Sequence, residues 1–192
     1  MGISFPWLPD AISFLMIIFF ETSLSLNLTI IIGFSLLPFI TLCWLIALTD
    51  LLFKEKQKII IILYLITIII LDYYFFLFLL KDPTILGRFI GPFQIRWAFF
   101  MMIYLSVFII IAILTGILFA SYSIRSHSPE VKIKGKFILT AFISFSIAAT
   151  IEAFMHLDPI TVVITRTILI FSSIIFYLGF IFPRWLRKII LK

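Results

Sequence analysis

Five runs of about twenty apolar residues, joined by short polar connectors, decide what this chain can fold into. They extend from about Leu28 to Phe53, Ile59 to Leu80, Trp97 to Tyr122, Phe137 to Met155 and Ile160 to Phe182. A helix rises about 1.5 Å per residue and a bilayer's hydrocarbon core is about 30 Å thick, so each run reads as a spanning helix. Backbone surrounded by lipid must satisfy its own N–H and C=O groups, which leaves helices or closed barrels, and uninterrupted runs of this length belong to helices. A sixth run, Leu8 to Phe20, is shorter. It reaches spanning length only if the polar stretch from Glu21 to Asn27 extends its outer end to about residue 26.

The expected fold is therefore all-α: one polytopic transmembrane bundle over residues 1–192, with six spans of which the first is the weak one, and a basic tail over 183–192. Composition closes off the other classes. The chain is 64% hydrophobic and 12% charged, against about 45–50% and about 25% in soluble domains. A soluble domain, a disordered tail and a secreted disulfide scaffold are excluded, the last also because Cys43 is the one cysteine. The net charge of +6 does not point to nucleic acid, since the basic residues flank apolar runs as membrane-edge anchors. The segment Met1 to Trp7 lacks the basic region and small-residue cleavage site of a signal peptide, so the first apolar stretch is expected to stay.

Orientation follows from the connectors. Lys54, Lys56, Lys58, Arg125, Lys132, Lys134, Lys136, Arg184, Arg187, Lys188 and Lys192 fall on one side, eleven in all; Lys81, Arg88 and Arg96 fall on the other. That asymmetry places the C-terminus in the cytoplasm of a cell-membrane protein, and an even number of spans returns the N-terminus there too. The tail is expected to lie on anionic inner-leaflet lipids through Arg184, Arg187, Lys188 and Lys192. Trp97 and Trp185 are expected at opposite interfaces. Helix punctuation is visible in the connectors: Ser128-Pro129-Glu130 and Asp158-Pro159 each read as an N-cap followed by proline at the first helical position. Asp82-Pro83 predicts a short helix that Gly91-Pro92 ends, and Pro38 predicts a kink in the second span.

Three ionisable groups fall inside spans, namely Asp72, Glu152 and Arg166. Helical rise puts Asp72 about 20 Å and Glu152 about 24 Å from the inner ends of their helices, and Arg166 about 10 Å from the outer end of the last. All three lie in the outer third. Glu152 and Arg166 flank the tight connection His156-Leu157-Asp158-Pro159, so they meet if their faces align, and Asp72 joins them if its helix packs alongside. Two readings stay open: a ligand or ion pocket of Asp72, Glu152, Arg166 and His156, with Tyr73 or Tyr74, or a structural ion pair that fixes helix packing. Asp50 and Glu55 sit among lysines at the inner end and read as interfacial.

Small residues recur at four-residue spacing as Ser144/Ala148 and Ala149/Ala153 in one run and as Gly116/Ala120 in another. Such spacing lets helix backbones approach closely, within the chain or between copies. Enzyme classes fail on missing parts. Ser172 and Ser173 lack a glycine setting and a histidine at matching depth, Asp50 and Asp72 lie near opposite faces, and His127 and His156 face opposite compartments. No catalytic group, metal or cofactor is expected.

The stretches Leu42 to Lys58, Ser128 to Leu139 and Phe176 to Lys188 resemble an uncharacterised archaeal family of multi-pass membrane proteins. That family is similar in layout to the seven-helix sensory region at the N-terminus of some membrane histidine kinases. The resemblance covers the chain from about Pro6 onward, and it implies one further helix at the start, so the chain is expected to be shortened there. It carries no assigned functional residue. The reading that follows is a receptor-like or sensory membrane module without an output domain of its own. The alternatives are a structural or assembly subunit of a membrane complex, and a transporter-like subunit, against which the absence of paired broken spans counts. Its expected partners are the bilayer and either a second protein or a second copy, with no nucleic acid.

Overall fold

In the computed structural model, which describes residues 2–91, 94–155 and 158–190, the chain is helical apart from one small hairpin. Five stretches are long and apolar enough to cross a membrane: Leu26–Leu52, Lys54–Lys81, Phe99–Ile124, Pro129–Phe154 and Ile160–Ile181. The chain gathers into two compact units, Met1–Tyr104 and Leu105–Lys192.

The first unit begins with a 3₁₀ segment, Gly2–Trp7, which runs directly into α1 (Leu8–Phe20). Pro9 and Asp10 in the first turn suit a helix start. Glu21 adopts the left-handed conformation (φ 55°) and stops α1, so the serine stretch does not lengthen it. Ser25 instead caps α2 (Leu26–Phe34) by accepting from the Leu28 N–H. The second apolar run is two helices rather than one kinked helix. A turn at Ser35–Leu36 separates α2 from α3 (Leu37–Leu52), and Pro38 sits in the first turn of α3, where its missing N–H costs nothing. The buried Tyr64 hydroxyl of α4 (Gln57–Lys81) donates to the Pro38 carbonyl at 2.7 Å and ties the broken span to its neighbour.

The long connector departs from expectation. Asp82 does start a helical turn, accepting from the Thr84 N–H at 2.9 Å, but that 3₁₀ turn ends at Ile85. Gly87–Gly91 (β1) then pairs antiparallel with Gln94–Trp97 (β2). One helical turn fixes several dihedrals for a single hydrogen bond, whereas the paired strands satisfy both backbones. Of the expected Gly91-Pro92 stop, Pro92 lies outside the described residues.

The second unit holds most of α5 (Phe99–Ile124), then α6 (Pro129–Phe154), α7 (Pro159–Ile181) and α8 (Arg184–Ile190). Gly116 on α5 lets the Phe142 ring of α6 into the helix seam, since a Cβ there would lie 2.3 Å from the ring. Ala120 and Ala148 are fully buried, and Ala149 and Ala153 nearly so. Ser144 remains part-exposed and returns its hydroxyl to the Thr140 carbonyl at 2.9 Å. Within this unit Gly116 thus admits a neighbouring side chain and the alanines are buried, a geometry in which dispersion contacts replace the hydrophobic drive that lipid cannot supply. Pro129 starts α6 as expected. Ser128, however, does not cap it, and its own N–H donates to Ser126 Oγ at 3.3 Å.

Candidate functional site

Charges inside a membrane need partners, so the site is built outward from the three ionisable groups. In the second unit, Asp158 caps α7 by accepting from the Thr161 N–H at 3.2 Å and from the Thr161 hydroxyl. The Thr161 hydroxyl first, then its N–H, hold the Asp158 carboxyl below the usual carboxylate range. The cap fixes the first turns of α7 and brings Arg166 across to α6. There Arg166 Nε lies 3.2 Å from Glu152 Oε1. Thr165, fully buried, stands 3.0 Å from the same Oε1 and 3.0 Å from the Val162 carbonyl, so its one hydrogen is shared between two acceptors. The Glu152 side chain is 13% exposed and that of Arg166 30%. The expected pairing across the hairpin is present, and Thr165 is a member that sequence reasoning missed.

Asp72 belongs to the first unit, half-buried on α4. Its Oδ1 accepts from the Tyr104 hydroxyl at 3.0 Å, and the buried Tyr104 ring stacks on Phe75 at 5.1 Å. Tyr73 and Tyr74, the aromatics named from sequence beside Asp72, are exposed and meet each other edge to face. The reason lies in helical spacing. Residues one and two positions from Asp72 leave the helix on other faces, whereas Tyr104 arrives from the first turns of α5. His156 lies outside the described residues. Asp50 forms an exposed pair with Lys54 at 3.5 Å on α3 and its following turn. Among the described residues no group of three His, Cys, Asp or Glu gathers where it could hold a metal ion.

Basic residues of α6 and α8 make contacts within the chain. Phe182 is buried in the left-handed conformation (φ 45°) and turns the chain into α8. Arg187 Nη2 thereby reaches Glu130 Oε2 at 3.0 Å, while Lys134 Nζ holds Oε1 at 2.8 Å and stands 5.4 Å from the Phe182 ring centre. Arg187 is thus engaged by Glu130, Arg184 and Lys188 remain exposed, and Lys192 lies outside the described residues.

The α4–α5 connector holds a second polar feature that the sequence did not single out. Arg88 and Arg96 stand directly opposite each other on the hairpin, and both line a cavity of about 550 Å³. Comparison with protein-family models, with curated protein sequences and with solved structures finds no match to this chain.

Proposed function

We propose that the chain is a multi-pass cell-membrane protein that performs no chemistry of its own and works as a structural or assembly subunit. The observation that carries this reading is that the intramembrane charges are engaged by side chains of neighbouring helices: Glu152 by Arg166 and Thr165, Asp72 by Tyr104. A carboxylate held in this way fixes helix register and has less to offer a ligand. In this reading six spans cross the bilayer, with both termini and the side that carries eleven basic residues in the cytoplasm. Broad apolar faces support it: α4 exposes Ile59, Ile62, Ile66, Ile69 and Leu80 along its length, surface that only lipid or another membrane protein can cover.

A receptor-like or sensory module is the second reading. It is favoured by the arginine-lined cavity on the connector and by the resemblance of residues 42–58, 128–139 and 176–188 to archaeal multi-pass proteins similar in layout to kinase sensory regions. One experiment separates the two. The full chain is extracted from its native membrane in mild detergent after alkaline carbonate washing, and its mass is read by light scattering and native mass spectrometry. An assembly subunit stays with the washed membrane and emerges in a complex of fixed stoichiometry. A lone monomer sinks the assembly role, and release by carbonate sinks the membrane reading altogether.

A further inference from the structure

The hairpin between α4 and α5 is built as a firm platform. Leu86 at its base is fully buried, and the Ala98 N–H closes the base by donating to the Leu86 carbonyl at 2.9 Å. Trp97 meets Phe34 of α2 edge to face at 5.1 Å. Gly87 permits this closure, because a Cβ there would lie 2.8 Å from Ile95 Cγ2 and 3.1 Å from the Trp97 ring. On this platform Arg88 and Arg96 are cross-strand partners and both are exposed. Like charges directly opposite weaken a strand pair, so the hairpin's own stability does not account for them. The neighbouring carboxylate, Asp82, is engaged by the Thr84 N–H, and one carboxylate beside two guanidiniums leaves net positive charge. Phe89 and Ile90, 40% and 46% exposed, line the same cavity and give it an apolar wall.

We propose that this cavity binds a phosphate-bearing amphiphile, with the phosphate between Arg88 and Arg96 and the apolar part against Phe89 and Ile90. Guanidinium forks match phosphate oxygens two at a time, and an anion between two cations removes the repulsion the register creates. The inference rests on the membrane reading above. A connector between two spans sits at the bilayer face, where lipid phosphates are concentrated.

The test uses the full chain carrying R184Q/K188Q/K192Q, with Arg187 left in its pair with Glu130, so that lipid binding by the tail is reduced, and native mass spectrometry from micelles doped with phosphatidylglycerol, phosphatidylcholine or glycerol phosphate. The chain retains phosphatidylglycerol in preference to phosphatidylcholine, and R88Q/R96Q lowers that retention about tenfold, the loss of one or more charge-assisted hydrogen bonds. R88K/R96K keeps the charge but not the fork and falls between. If glycerol phosphate does not displace phosphatidylglycerol, the amphiphile is upheld; if it does, the phosphate alone is recognised and the amphiphile is overturned. Should R88Q/R96Q lose its helical circular dichroism, R96Q alone must show the drop. Retention unchanged by these substitutions, in a chain that still resists carbonate, overturns this site and leaves the membrane reading standing.

Discussion

Glu152 accepts from two side chains of α7 through a single oxygen, Oε1, with Arg166 Nε at 3.2 Å and Thr165 Oγ1 at 3.0 Å. With Glu152 13% and Arg166 30% exposed, removing one member of the pair leaves the other charge partly desolvated and unmatched, which costs more than the pair contributes. We therefore expect Glu152→Gln and Arg166→Gln each to lower stability by about 1–3 kcal/mol in detergent unfolding titrations, and the double substitution to cost at least about 1 kcal/mol less than the sum. Additive losses show that the two groups do not act together and remove the main support for a packing role. Sequence reading reached this pair because depth along two helices joined by a tight turn can be counted. It could not reach Thr165 or Tyr104. A threonine next to an arginine and a tyrosine in an apolar run carry no polar periodicity of their own, and their roles depend on which helix face turns inward.

Elements were legible where a boundary residue carries its own chemistry. Asp158 is an instance: a short acid before proline announces a helix start, and α7 begins there with Asp158 bonded to Thr161. Because the Thr161 hydroxyl and N–H favour the ionised form, the folded chain protonates Asp158 at lower pH than the unfolded chain, whose aspartates titrate near pH 4. The cap's contribution is complete above that range and is lost as pH falls through the lower, folded value. The unfolding midpoint of the wild type should fall more steeply below about pH 4 than that of Asp158→Asn, which keeps a cap but has no proton to take up. Matching acid profiles would refute the assignment. Close packing was less legible. The spacing of Gly116 and Ala120 announced a near approach without saying what approaches, and the structure supplies Phe142. Gly116→Ala puts a methyl 2.3 Å from that ring and should cost about 1–3 kcal/mol, with Phe142→Ala in the same chain recovering part of the loss. The α4–α5 connector was misjudged after its first turn, because a glycine such as Gly91 ends a helix and closes a strand equally well.

At the scale of the whole chain, five apolar stretches long enough to cross a membrane follow directly from run length, the strongest signal a membrane sequence carries. The number of crossings turns on the N-terminal segment. Alone, α1 spans about 20 Å, short of a bilayer core of about 30 Å. The 3₁₀ segment Gly2–Trp7 runs into α1, and the apolar helix so formed, Phe5–Phe20, is shorter than the five spanning stretches. Phe14, Leu15, Ile18, Phe19 and Phe20 are exposed along it. The consequence can be read with single cysteines in a Cys43→Ser chain, labelled by a membrane-impermeant maleimide on intact cells and again after permeabilisation. With six crossings, cysteines in place of Ser4, Lys132 and Lys188 react only after permeabilisation, while one in place of Arg88 reacts at once. A Ser4 replacement that reacts on intact cells reduces the crossings to five and leaves α1 on the outer surface. Labelling of the Lys132 and Lys188 replacements from outside reverses the threading, and the arginine pair of the hairpin then faces the cytoplasmic leaflet.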